Sequence, residues 1–175
     1  MIRRVICAGS LVAVAAGVVG CSDDPNAPIE EAALLSVIPI GGATDVDPNT
    51  PITIEFDHMM QGDMYVTLHE GVMTGPFGPE VAGTWNWSQD RMHLMFTPDA
   101  PLKGQTEYTI HVGGGMRGDN GSLTNLERHG MSMGGEWVTQ QMMQGCMMRV
   151  CGGMMGPGWQ HSNGSFGMSF TFTTA

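Results

Sequence analysis

Residues 94–112 read LMFTPDAPLKGQTEYTIHV, and two short alternating runs inside this stretch decide the fold. Leu94 and Phe96 alternate with Met95 and Thr97, and Tyr108, Ile110 and Val112 alternate with Thr109 and His111. A period of two sends successive side chains to opposite faces of a strand, so each run has one apolar face and one polar face. Pro98, Pro101 and Gly104 separate the runs. Proline lacks a backbone donor and glycine frees the chain, so the segment between them is a turn. Two such strands need a second apolar face to pack against, and a second sheet supplies it.

The same pattern extends in both directions. Leu34–Ile40 is the first apolar run and stops at Gly41-Gly42. Pro51–Asp57 points Ile52, Ile54 and Phe56 inward, and Met64–Glu70 does so with Met64, Val66 and Leu68. Val81–Trp87 follows a Gly/Pro-rich loop. Arg91–Thr97 adds Met92 to Leu94 and Phe96, Thr106–Val112 comes next, and Phe166–Thr173 closes the series with Phe166, Met168, Phe170 and Phe172 on one face. About seven short strands separated by turn signals predict an all-β, antiparallel β-sandwich. The one segment expected to be helical is short, Glu136–Met148.

Several of these segments carry a family pattern. VIPIGGATDVDPNTPITIEFDHMM (37–60), VAGTWNW (81–87), LMFTPDAPLKGQTEYTIHVGGGMRGDNGSL (94–123) and FTFTT (170–174) together resemble the bacterial Ig-like domain of the SbsA type, found in surface-layer and other secreted proteins. The resemblance covers about Leu34–Leu126 and the last strand. It implies an Ig-like sandwich with Tyr108 at the position of a tyrosine corner, and says little about activity. In the family, the turn at Asp119–Leu123 leads to the last strand within a few residues. Here about forty residues intervene, so 33–175 reads as an Ig-like domain with a Met/Gly-rich insert at 127–164.

The first residues, MIRRVICAGSLVAVAAGVVGC, have a positive start at Arg3-Arg4 and an uncharged run to Gly20. That run is short for a membrane span, and reads as a signal peptide over 1–20. Val18-Val19-Gly20-Cys21 resembles a lipobox, which makes Cys21 the lipid acceptor and 21–32 a polar tether. A doubly acylated Cys satisfies the two-signal rule for a stable membrane anchor. The whole chain carries a net charge of −10, and removal of Arg3 and Arg4 makes it more acidic. Such a surface argues against nucleic acid and anionic lipid, and concentrates cations.

The insert carries the unusual chemistry. HGMSMGGEWVTQQMMQGCMMRVCGGMMGPGWQH (129–161) holds eight Met, two Cys and two His, with little apolar periodicity. Thioether, thiolate and imidazole are soft to borderline ligands that favour Cu(I). Thioethers also bind without deprotonation. The candidate ligands are Met142, Met143, Cys146, Met147, Met148, Cys151, Met154, Met155, His129 and His161. Met as a flexible filler of an irregular loop is the plainer reading of the same residues. Outside the cytoplasm, Cys146 and Cys151 pair as a disulfide by default; a metal dithiolate is the alternative, and sequence does not choose between them.

His58, Met59 and Met64 form a possible second metal cluster. His69, His93 and His111 are out of phase with the core residues of their strands and are expected to point outward, with His69 and His111 as neighbours on one sheet. Met73, Met95 and Met116 extend the methionine bias. Other motifs fail on context. Gly113-x-Gly115-x-x-Gly118 precedes a turn and not a helix, so it has no helix terminus for a pyrophosphate. Asp45, Asp47 and Asn49 have calcium-loop spacing but lack the glycine and the terminal glutamate. No nucleophile elbow or zinc-protease signature occurs.

The sequence therefore predicts no enzyme. It predicts a lipid-anchored, extracytoplasmic protein of the bacterial cell envelope that binds copper through its Met/Cys/His-rich loop. The alternative is a structural or protein-interaction module with no metal, whose Met-rich loop contacts an envelope partner. An oxidant sink based on reversible Met sulfoxide is a third reading. Residues 31–126 joined to 165–175 are expected to fold without the insert.

Overall fold

The computed structural model describes residues 29–62, 66–71, 78–143 and 160–175. Among the described residues nine strands form two sheets. The first sheet is built from β1 (Leu34–Ile38), β3 (Ile52–Phe56), β6 (His93–Pro98) and β5 (Gly83–Trp87), in that order. The second runs β2 (Ala43–Val46), β9 (Met168–Thr174), β7 (Glu107–Val112) and β4 (Val66–Glu70), with the two-residue β8 (Glu136–Trp137) also on β9. All pairings are antiparallel except β2 on β9. The sandwich is thus as expected, with β2 and β8 added to the seven strands read from the sequence.

The alternating residues meet between the sheets. Ile52, Ile54, Phe56, Leu94 and Phe96 face Val66, Leu68, Tyr108, Ile110, Val112, Met168, Phe170 and Phe172, all buried. Trp85 lies 4.8 Å from Phe96 and Trp87 6.1 Å from Phe56, centroid to centroid, so both indoles pack against the core at its β5 edge. Truncating a ring such as Phe56 in a core of this kind costs about 3–5 kcal/mol. Tyr108 stacks on Phe172, and its hydroxyl accepts the Lys103 N–H at 2.8 Å. That is the hydrogen bond of a tyrosine corner.

The first apolar run does not form one strand. β1 stops at Ile38, and the chain crosses from the first sheet to the second through Pro39–Gly42, where Gly41 N–H bonds Met133 O and Gly42 N–H bonds Thr171 O. Gly41 touches Gly134 so closely that a Cβ would collide with the Gly134 carbonyl. Its lack of a side chain is what lets the insert lie against this crossing.

The sequence expects 31–126 joined to 165–175 to fold without the insert, but residues 127–143 pack into the fold, with Met133 and Trp137 against the core. Helix α1 (Glu127–Gly130) and a 3-10 turn (Met131–Met133) lead into β8, and Gly130 and Gly135 lie against the Met168 thioether. The expected helix over 136–148 is instead β8 followed by α2 (Gln140–Met143); 144–148 lie outside the described residues. Val138, Met143 and Phe166 are buried outside the inter-sheet core. For Phe166 this departs from the expected common face with Met168. Gly167, at φ +105°, turns the chain between them.

Candidate metal centre

Cys21, Met64, Cys146, Met147, Met148, Cys151, Met154 and Met155 lie outside the described residues. The structure therefore bears on His129, His161, Met142, Met143, His58 and Met59. Among the described residues no three His, Cys, Asp or Glu side chains gather as a metal site.

The insert leaves and rejoins the sandwich at one place. Val138 N–H donates to Gly167 O, and Phe166 N–H donates to Val138 O, both at 2.9 Å. Thr139 then opens α2: its hydroxyl accepts the Met142 N–H and its own N–H meets the Met142 sulfur, each at 3.4 Å. Met143 follows, wholly buried, so it packs the loop base. His129 is exposed on α1, and its carbonyl accepts the Ser132 hydroxyl.

His161 stands where the chain returns. Its N–H donates to Ser165 O and its carbonyl accepts the Gly164 N–H, both at 2.8 Å, which fixes a tight turn. Its Nε2 lies 3.0 Å from Thr124 O. A carbonyl only accepts, so Nε2 carries the hydrogen and, in the neutral ring, Nδ1 keeps its lone pair. Nδ1 meets the Ser162 hydroxyl at 3.4 Å. The ring lies 5.2 Å from that of Trp137. The fold thus brings His161 to Trp137. Beside this junction Thr124 Oγ1 and Ser165 Oγ are buried without a hydrogen-bond partner among the described residues.

His58 sits among carboxylates. Its Nδ1 lies 2.7 Å from Asp57 Oδ1 and its Nε2 3.9 Å from Glu30 Oε2. The hydrogen bond to Asp57 raises the His58 pKa against a smaller opposing effect of burial. Burial of Asp57 works against ionisation, but the Ala33 N–H, His58 and Arg128 together hold its pKa below the usual value. His58 is thus an ion-pair partner joining β3 to the segment before β1. Met59 beside it is exposed.

Two expectations are corrected. His69 and His111 do point away from the core, but they are buried, at 4% and 1% exposure, and so are Thr67, Thr109 and Ser169 on the same outer face of the second sheet. Connecting segments meet this face through their backbones. His69 Nδ1 reaches Gly78 O and its Nε2 meets the Thr67 hydroxyl. His111 Nε2 reaches Phe166 O, Thr109 Oγ1 bonds Gly71 O, and Ser169 Oγ bonds Glu136 O. Burial lowers both histidine pKa values, that of His111 to about 4. His93 points outward as expected and is half-buried, beside Glu55 and Asp90. Met116, grouped above with surplus loop methionines, is 2% exposed and belongs to the core.

Asp47 Oδ1 accepts both the Asn49 N–H and its side-chain amide, which makes Asp47–Asn49 a turn, with Asp45 on β2 before it. Among the described residues no helix is long and apolar enough to cross a membrane.

A family model described as a bacterial Ig-like domain matches residues 29–130. Among solved structures, that of the S-layer protein rSbsC(31-844) aligns with a TM-score of 0.39 at 12% identity, over 56% of this chain and 13% of that one. Surface layer protein SbsC, domains 1–6, gives 0.38 at 14% identity, over 55% and 12%. A comparison with proteins of curated function finds no match.

Proposed function

Because the chain belongs to the bacterial Ig-like domain family, we propose that it is a non-enzymatic module of the bacterial cell envelope, anchored by a lipidated Cys21, that binds a soft metal, copper as Cu(I), through its Met-rich loop. The observation that carries this reading is the closure of the loop on itself. The pairing of Val138 with Phe166 and Gly167 makes the soft donors between Met142 and His161 one loop on one root. Donors held on one closed loop lose less chain entropy on gathering around an ion than donors spread along a free chain. Meanwhile Met60, Met116 and Met168 serve the core, and of the loop methionines Met143 is buried at the loop base. Several exchangeable thioether sites suit buffering or hand-over of an ion.

Titration of the full chain with Cu(I) under a competing chelator tests the reading. Met-to-Leu changes at 142, 143, 147, 148, 154 and 155 keep volume and apolarity while removing sulfur, and should nearly abolish binding. Cys146→Ser with Cys151→Ser should weaken it and leave measurable affinity. If the Leu variant binds as tightly as the parent, the metal reading fails. Cys21→Ser should release the protein from membranes, and retention of that variant would defeat the anchor.

A second reading, an interaction module without metal, has its own observation. Leu35, Ile38, Ile40 and Met131 are 38–52% exposed, and the Gly41–Met133 bond brings the last two segments together. Exposed apolar side chains gathered in this way are typical of protein contact surfaces.

A further inference from the structure

We propose that β5 is a pairing edge through which two copies of this chain join, antiparallel and centred on Trp85. A strand at the rim of a sheet presents unpaired N–H and C=O groups, and folded proteins blunt such rims with charge, proline, bulges or covering segments. The other rims of this sandwich are blunted. β1 carries a bulge between Leu34 and Ser36, and both its flanks are bonded, Ala32 O by the Asn125 N–H and the Gly41 N–H by Met133 O. β4 is covered by residues 79–81, since Glu70 N–H donates to Pro79 O and Val81 N–H to Leu68 O. β2 and β8 are four and two residues long, and Asp45 turns β2 at φ +54°.

β5 has none of these devices. Its register with β6 runs unbroken from Gly83 to Trp87, and among the described residues no strand or bridge meets its other side. Residues 81–88 contain neither a charge nor a proline. Ser88 N–H bonds His93 O, and Asp99 N–H bonds Ala82 O. By the alternation of an antiparallel ladder, Thr84 and Asn86 therefore bond β6, while Gly83, Trp85 and Trp87 turn their N–H and C=O groups to the open side. Trp85 and Trp87 are half-buried where they pack on Phe96 and Phe56, so the core itself is open along this edge.

These features select a second copy as the occupant. On a chain of net charge −10, repulsion opposes contact between copies, and it does so least at an uncharged edge. Paired antiparallel about Trp85, the strands set Gly83 against Trp87 and Thr84 against Asn86 of the other copy, and exchange about six backbone hydrogen bonds. Trp85 and Trp87 of both copies lie on the core side and meet at the seam, where their rings lose exposed apolar surface. Pairing uses the one open rim among the described residues, so this isologous contact closes at two copies and does not grow into a filament. A five-residue strand with its two indoles falls below the total of about 1,200 Å² that a stable interface buries, so the dimer is reversible and forms with rising concentration. It needs no residue of the Met-rich loop.

The test uses the full chain in density-matched detergent. Sedimentation equilibrium up to about 1 mM, where even a millimolar Kd populates the complex, should show the mass rising from one copy toward two. Thr84→Lys with Asn86→Lys alters only exposed side chains and sets ammonium groups against each other across the seam. It should weaken pairing at least about tenfold and leave the urea melt unchanged. Thr84→Glu with Asn86→Glu should weaken pairing too, and mixing the Lys and Glu variants should restore it, which a general loss of fold cannot do. A photo-cross-linker placed at Asn86 in whole cells should give a species of twice the chain's mass. A parent that stays single to about 1 mM, a Lys variant that pairs as tightly as the parent, or no recovery on mixing each overturns the inference. A cross-linked species of any other mass makes a different envelope protein the occupant, and overturns it as well.

Discussion

The two outer faces of the sandwich look alike in sequence and differ in the folded molecule. The first sheet presents Thr53, Glu55, His93 and Met95, with His93 and Glu55 side chains 40% and 39% exposed. The second presents Thr67, His69, Thr109, His111 and Ser169, of which none exceeds 6%. Both sets are the polar half of an alternating strand. One faces water; the other is enclosed, with its hydroxyls and imidazoles bonded to the backbones of connecting segments. A polar residue out of phase with the core is therefore not by that fact a surface residue. An enclosed polar face depends on having those partners, since a buried donor left unmade costs about 1–3 kcal/mol.

The strongest way to break this contrast is to remove the segments that enclose the second sheet. Replacing residues 144–159 with a short Gly/Ser linker should preserve cooperative unfolding. Deleting 127–164 should abolish it, because Gly130, Trp137, Val138 and Met143 go as well. Urea melts followed by circular dichroism distinguish the two, and a cooperative 127–164 deletion would show that the sandwich needs none of the insert. Next in size, His111→Asp should cost about 3–5 kcal/mol, as for an uncompensated buried charge, while Met95→Asp, on the exposed face, should stay within about 0.5 kcal/mol, as for an ordinary surface change. Equal losses would mean that the second face is open in solution.

Acid should then separate the faces. The His111 pKa falls from 6.5 unfolded to about 4 folded, and His69 moves in the same direction. Between those pH values the unfolded chain binds more protons, so stability falls as pH drops from about 6.5 toward about 4, at up to about 1.4 kcal/mol per unit for one such group. His111→Gln should flatten most of that slope. His58 works with the opposite sign and in another window, since its raised pKa stabilises below 6.5 and that contribution is lost as pH rises through the folded value. The smallest effect belongs to the exposed face. Glu55→Gln weakens contacts with Ser36 and His93 and should cost no more than about 0.5 kcal/mol.

Legibility in the sequence followed local geometry. Ile52, Ile54 and Phe56, or Tyr108, Ile110 and Val112, declare their face through a period of two, and the structure buries each of them. β2 and β8 escaped because four and two residues are too short to show a period, and both depend on the distant β9. The burial of His69 and His111 escaped for a related reason. What encloses them comes from other parts of the chain, and no pattern within β4 or β7 records it. At the candidate centre, sequence marked His161 by the company of Met and Cys. Its tautomer depends on the Thr124 carbonyl thirty-seven residues away, which spacing along the chain does not reveal.

The position of β9 has a consequence for how this chain comes to be folded. The last strand in sequence is central to its sheet, paired with β7 along its length and with β2 and β8 on its other edge. Its neighbour β2 begins at Ala43, so the second sheet closes only through contacts spanning more than a hundred residues, the kind that slow folding. A chain synthesised from its N-terminus can pair β1, β3, β5 and β6, and β4 with β7, early, but its second sheet lacks its central strand until Met168–Thr174 arrives. The Met-rich segment emerges just before that strand. Its soft donors are therefore presented on an unfinished domain, and a metal or oxidant met during that interval acts on chain not yet tied to its root.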